Sequence, residues 1–402
     1  MALLHQTDRL DRRHLAILIL AFVVWWQGFT SLTVLSFLLG GIQRDFQLVD
    51  GDLALLTGLG IGATGVGGFL FGWLADRMGR RASTATALGV FCLGNACCAL
   101  APSFSTLLVA RAVAGLGIGG AWGAGQALIG ETFPPAERGR WGAVAQSGAP
   151  LGLGLAALIG AFVAPQLGWR GVFALCTLPI LALPLVRRVP ESDLWRQAGP
   201  GGEWRQLLAR GARGTFALAF LLTAFNMTAY WLAVIWLPRY LQVERGLSEA
   251  RSGVATLAFV LGSLLGYLSF GRISDWWGRR PTFALYSGLL AGGLLMFTVF
   301  WPWVAARPGL VWVFLFAAGL GTGTWSGFGP MLSELFATPV RGTALSVIMN
   351  TTRGAQFLAP LAIAAVAPRW GLGGGIALAA GFALLAGTWI WALPETRGRV
   401  LG

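Results

Sequence analysis

Twelve stretches of about 20 apolar residues follow one another along this 402-residue chain, and they leave it few folds to adopt. They lie near 15–39, 53–74, 82–101, 104–130, 141–167, 170–189, 214–240, 252–271, 282–302, 310–332, 343–367 and 371–393. A run of that length crosses the hydrocarbon core of a bilayer as a helix. In lipid every backbone polar group must be bonded internally, so each run is predicted to be a membrane helix. Composition agrees: 56% of residues are hydrophobic and 11% charged, with a mean hydropathy of +0.69.

The basic residues orient these helices. There is no lysine, so all 29 are arginine. With both termini cytoplasmic, 20 arginines fall inside and 7 outside, a positive-inside bias that predicts this orientation. The net charge of +13 is then a topology signal. A nucleic-acid footprint would need charge gathered on one soluble face, and the sequence offers none. Residues 1–14 are polar and the first apolar run is too long for a signal-peptide core, so no cleaved leader is expected. Cys92, Cys97, Cys98 and Cys176 all lie within apolar runs and read as small core residues.

The chain also repeats itself. Residues 72–81, Gly-Trp-Leu-Ala-Asp-Arg-Met-Gly-Arg-Arg, return at 271–280 as Gly-Arg-Ile-Ser-Asp-Trp-Trp-Gly-Arg-Arg. Glu131-Thr132-Phe133, followed by Arg138-Gly139, returns as Glu334-Leu335-Phe336 with Arg341-Gly342. Pro190-Glu191-Ser192 returns as Pro394-Glu395-Thr396. The offsets are 199, 203 and 204 residues, so one unit is duplicated in tandem. The expected fold is an all-α membrane protein of twelve transmembrane helices in two pseudo-symmetric six-helix bundles, 1–192 and 214–402, joined by a cytoplasmic linker at 193–213. Membrane proteins built from two like halves place their working site between them.

Two glycine runs, 60–65 and 115–120, match the dinucleotide fingerprint G-x-G-x-x-G, but both sit inside apolar runs with no strand before them. They read as places where helix backbones approach closely. His5 and His14 are near the terminus, and no nucleophile triad or metal cluster is present, so neither enzyme chemistry nor a cofactor is expected.

At this point the residues resemble a known family. Stretches 72–81 and 271–280 resemble the loop signatures of the major facilitator superfamily, and Arg111-Ala-Val-Ala-Gly-Leu-Gly-Ile-Gly-Gly at 111–120 resembles its fourth-helix motif. The resemblance covers essentially the whole chain and implies two six-helix bundles that open alternately to each side of the membrane. Residues 117–123, 169–173 with 190–195, and 334–342 with Asn350-Thr351-Thr352-Arg353 look like the sialate/lactate–proton symporter branch. That branch usually has Glu where this chain has Ala121, and often a first-helix carboxylate where it has Trp25-Trp26-Gln27-Gly28.

The acid–arginine junctions read as a cytoplasmic gate. Asp76, Arg80 and Arg81 in one half, and Asp275, Arg279 and Arg280 in the other, would latch through Glu131, Arg138, Glu334 and Arg341. All 16 acids fall near helix ends, in loops or at the termini, whereas Arg111 and Arg353 lie within apolar runs. A charge at the bilayer centre costs roughly 2.5–3.5 kcal/mol, so such a residue normally faces a cavity. Arg353, with no acid at its depth, invites an anion, and a carboxylate fits its fork bidentately. Arg111 shares one helix face with Gly115, Gly119, Trp122 and Gln126, and the superfamily resemblance implies a role in coupling or helix packing. The same resemblance puts the first, fourth, seventh and tenth helices around the cavity. Trp25, Trp26, Gln27, Phe29, Trp122, Gln126, Asn226, Tyr230 and Trp325 lie on them, and Asn350 lies one turn before Arg353.

The reading that follows is a multi-pass bacterial inner-membrane transporter for a small organic monocarboxylate such as lactate or pyruvate, coupled to protons, with anion exchange and uniport as the other modes open to it. A monomer suffices for it. An aromatic acid as substrate and a drug–proton antiporter are the alternatives.

Overall fold

Residues 11–133, 138–186, 189–191, 213–307, 309–336 and 338–397 are described in a computed structural model, and they are helical almost throughout. The predicted linker lies outside them except for Arg213, as do the side chains of Arg138 and Arg341. The first half comprises α1 (Arg12–Phe46), α2 (Asp50–Met78), α3 (Arg80–Ala99), α4 (Phe104–Thr132), α5 (Arg138–Gln146), α6 (Gly148–Leu158), α7 (Ala164–Leu175) and α8 (Leu183–Val186). The second half comprises α9 (Arg213–Val243), α10 (Glu249–Trp277), α11 (Arg279–Thr298), α12 (Trp301–Ala305), α13 (Gly309–Gly321), α14 (Thr324–Leu335), α15 (Thr338–Ala355) and α16 (Leu358–Trp389).

Among the described residues, 10 helical runs are long and apolar enough to cross a membrane. Two of them, Val144–Ala182 and Ala344–Ala392, are 39 and 49 residues long. A straight helix of the latter length would reach roughly 73 Å, well beyond the ~30 Å hydrocarbon core. Each run is broken, at Gly168 (φ 65°) and Gly371 (φ 70°), where the backbone enters the left-handed region open to glycine. An acid braces each break. Asp45 accepts from Trp169 Nε1 at 2.8 Å and Arg170 Nη1 at 2.7 Å. Glu244 accepts from the backbone N–H groups of Leu372 and Gly373. The duplication thus extends to a feature that the sequence repeats do not announce.

Within the first half, α2 and α3 pack on α4; within the second, α10 and α11 pack on α13 and α9 on α16. The halves meet where α2 lies against α15 and α16, α6 against α10, and α1 against α9. Small residues make the closest approaches possible. A Cβ on Gly65 would overlap the backbone of Gly354, and one on Gly119 would overlap the Thr64 carbonyl. The glycine runs 60–65 and 115–120 are therefore helix contacts.

The three sequence repeats converge in space, once in each half. Arg80 donates to Glu131 (Nη2–Oε1 2.9 Å) and Asp76 (Nη1–Oδ1 2.9 Å), while Glu191 accepts from the Arg80 and Arg81 backbone N–H groups at 2.9 and 3.2 Å. Arg279 pairs with Glu334 at 2.9 Å and with Asp275, while Glu395 accepts from the Arg279 and Arg280 N–H groups at 2.9 and 3.0 Å. Burial disfavours the Glu395 carboxylate, but N–H donors from Arg280, Arg279, Arg397 and Thr396 outweigh it and hold its pKa below the ordinary glutamate range. The predicted gate residues Asp76, Arg80, Glu131, Asp275, Arg279 and Glu334 form ion pairs within their own halves here. The within-half pairing arises because each arginine opens a helix beside an acid that ends another.

Candidate substrate site

Arg353 sits in the last turn of α15, where the helix dipole favours a cation, and is 3% exposed. Its guanidinium carbon lies 4.3 Å from the ring centroid of Trp122 and 5.9 Å from that of Trp25. Nη1 and Nη2 are buried and, among the described residues, have no hydrogen-bond partner. A buried donor left without a partner costs about 1–3 kcal/mol. Two free N–H groups on one planar fork match the two oxygens of a carboxylate.

Aromatic rings continue from this fork across the interior. Trp122 meets Trp25 at 5.9 Å, Trp25 meets Phe29 at 5.5 Å, Phe29 meets Tyr230 at 6.4 Å and Trp231 at 5.8 Å, and Tyr230 meets Trp325 at 5.0 Å. These rings come from α4, α1, α9 and α14, the four helices named by the superfamily resemblance. The indole N–H groups of Trp25, Trp26, Trp231 and Trp325 are also buried without a described partner. The walls are rich in donors. Unpartnered N–H groups of this kind pair with acceptor oxygens and not with cations. The chamber is shut: Trp25, Tyr230 and Trp325 are all buried.

The remaining candidates divide. Trp122 donates to Gln146 Oε1 at 3.0 Å, which fixes the indole over Arg353. Trp26, Gln27 and Gln126 are half-buried, with Gln126 beside Gly142 of α5. Two of the candidates donate to neighbouring side chains. Asn226 donates to Thr324 Oγ1 at 3.0 Å and clamps the break between α13 and α14, where Thr322 also bonds Ser263 at 2.9 Å. Asn350 donates to Ser346 Oγ at 3.2 Å and turns its amide toward Gly68 of α2, so it faces the seam between the halves. Arg111 donates to the Ser31 carbonyl at 3.4 Å, lies 5.5 Å from Phe173 and sits inside the first half, a packing position. Sequence reasoning missed Trp231 and Gln146. A glutamine inside the fifth apolar run was the available signal for the latter.

The Major Facilitator Superfamily profile matches residues 17–306 and 219–401. A metabolite transport protein of Haemophilus influenzae is 30% identical over 390 residues, covering 92% of this chain and 94% of its own. A gentisate transporter of Corynebacterium glutamicum is 28% identical over 380 residues, covering 90% of this chain and 83% of its own. Among solved structures, a D-xylose–proton symporter superposes with a TM-score of 0.80 at 20% identity, covering 96% of this chain and 99% of its own, a likeness of fold. With the profile spanning both halves and the duplicated junctions in place, the chain belongs to the Major Facilitator Superfamily.

Proposed function

We propose that this protein is a secondary active transporter of the bacterial inner membrane that carries a small organic anion, an aromatic acid ahead of a lactate-like one. Two six-helix bundles alternate access to the chamber around Arg353. In this reading Val144–Ala182 and Ala344–Ala392 each cross twice, which brings 10 apolar runs to twelve crossings. The arginine-rich junctions face the cytoplasm, with both termini. The observation that carries the proposal is the buried, unpartnered fork of Arg353 beneath Trp122 and Trp25. The rings favour a flat substrate over lactate, and a relative named for gentisate supports that preference. Proton symport completes the proposal. The described acids lie at helix ends, so the proton would travel on the substrate carboxylate and leave as Arg353 rebinds the anion.

Isothermal titration of the purified protein with gentisate, benzoate, L-lactate and benzylamine tests this reading. The expected outcome is binding of the aromatic acids, about tenfold weaker binding of lactate, no binding of benzylamine, and loss of acid binding in Arg353→Met. Tighter binding of lactate than of benzoate would overturn the aromatic preference. Acid binding that survives in the variant would remove Arg353 as receptor.

A further inference from the structure

At the end of the molecule away from the arginine-rich junctions, Arg239 crosses between the halves. Arg239 of α9 directs Nη2 to Gln43 Oε1 at 2.9 Å on α1 and to Asp50 Oδ1 at 2.8 Å on α2. Its side chain is only 11% exposed, against 58% for Asp50. Arg80–Glu131, Arg170–Asp45 and Arg279–Glu334 each stay inside one half. The Arg239–Asp50 pair joins residues 189 positions apart, one from each copy of the repeat.

Its place on the helices gives the pair a consequence. Nine residues separate Arg239 from Tyr230, or about 13 Å along α9. Tyr230 packs against Trp325 and Phe29, so the pair stands above the aromatic chamber, where α1 and α2 close against α9. Opening the chamber at this end must pull Arg239 away from both acceptors. A half-exposed ion pair and one amide bond together bias a two-state equilibrium by about threefold to thirtyfold. That is enough to favour the shut form and small enough to be broken at every turnover.

We infer that Arg239, with Asp50 and Gln43, is the outer latch of the transport cycle, an inference that rests on the alternating-access reading above. Arg239 is a positioning residue: it acts on the equilibrium between outer-closed and outer-open forms, through the helices it joins.

Hydrogen–deuterium exchange of the full chain in lipid nanodiscs, with no substrate added, tests the latch. Arg239→Gln and Asp50→Asn should each speed exchange severalfold at the outer ends, residues 40–50 and 236–246, and slow it at the inner ends, residues 138–146 and 324–336. The charge-swapped pair Arg239→Asp with Asp50→Arg should return both ends toward the parent. Unchanged exchange at the outer ends, or a swapped pair no better than either single variant, would overturn the inference. So would faster exchange at both ends together, the signature of general loosening. Exchange needs no substrate, so failure of the latch and failure of the anion assignment are read separately.

Discussion

Replacing Arg353 by methionine should stabilise the empty protein while abolishing its response to substrate. The guanidinium leaves two buried donors unpartnered, at about 1–3 kcal/mol each. Against this, a desolvated cation–π contact with Trp122 returns about 2 kcal/mol, and the last turn of α15 a further ~0.3–1 kcal/mol. At the middle of these ranges, about 4 kcal/mol against about 2.7, the arginine carries a net cost of about 1 kcal/mol. Methionine fills most of its volume with a flexible apolar chain and removes that cost. For a chain of this size the thermal midpoint of Arg353→Met should rise by roughly 1–4 °C in detergent. Gentisate at a hundred times its dissociation constant should stabilise the parent by about 2.7 kcal/mol and leave the variant unmoved. Scanning fluorimetry of both proteins, with and without gentisate, measures this. A variant that melts several degrees below the parent without ligand would show instead that the guanidinium is partnered in the empty state.

Three further outcomes follow from the same geometry. Glu334→Ala removes the acceptor of Arg279 and of Thr396 Oγ1 (2.6 Å) and should cost about 1–3 kcal/mol in thermal or denaturant unfolding, part of it recovered when Arg279→Ala is added. The Glu395 carboxylate has a lowered pKa when folded, so its contribution is complete above the unfolded value and is lost as pH falls through the folded one. The midpoint gap between the parent and Glu395→Gln should therefore be widest near pH 7 and narrow as the pH falls below the ordinary glutamate range, a trend that thermal scans across pH would show. Gly65→Leu would drive a side chain into the backbone of Gly354 and Asn350, with a cost of about 1–3 kcal/mol and loss of ligand binding by titration, because α15 carries Arg353.

Hydropathy and the repeats made the helices, the duplication and the arginine-rich junctions legible, since each follows from local chemistry at known spacing. Arg353 stood out for the same reason: a charge inside an apolar run has few places to go. The sequence could not show which neighbour a polar side chain would choose. Asn226 sits on a cavity helix and Asn350 one turn before Arg353, yet one clamps Thr324 and the other turns to Gly68, because backbone breaks and glycine seams form only when helices pack. His14 read as a terminal residue, but its ring meets Asp11 Oδ1 at 2.8 Å and the Thr132 carbonyl at 3.1 Å, tying the start of α1 to the end of α4. The braces Asp45 and Glu244 were hidden because their partners are 124 and 128 residues away.

The most direct test of the central claim is uptake of labelled gentisate into proteoliposomes, with and without an inward proton gradient, by the parent and by Arg353→Met at matched reconstitution. Gradient-stimulated uptake by the parent and none by the variant is the expected result. Equal uptake by the two proteins would contradict it, since the carboxylate would then be held elsewhere.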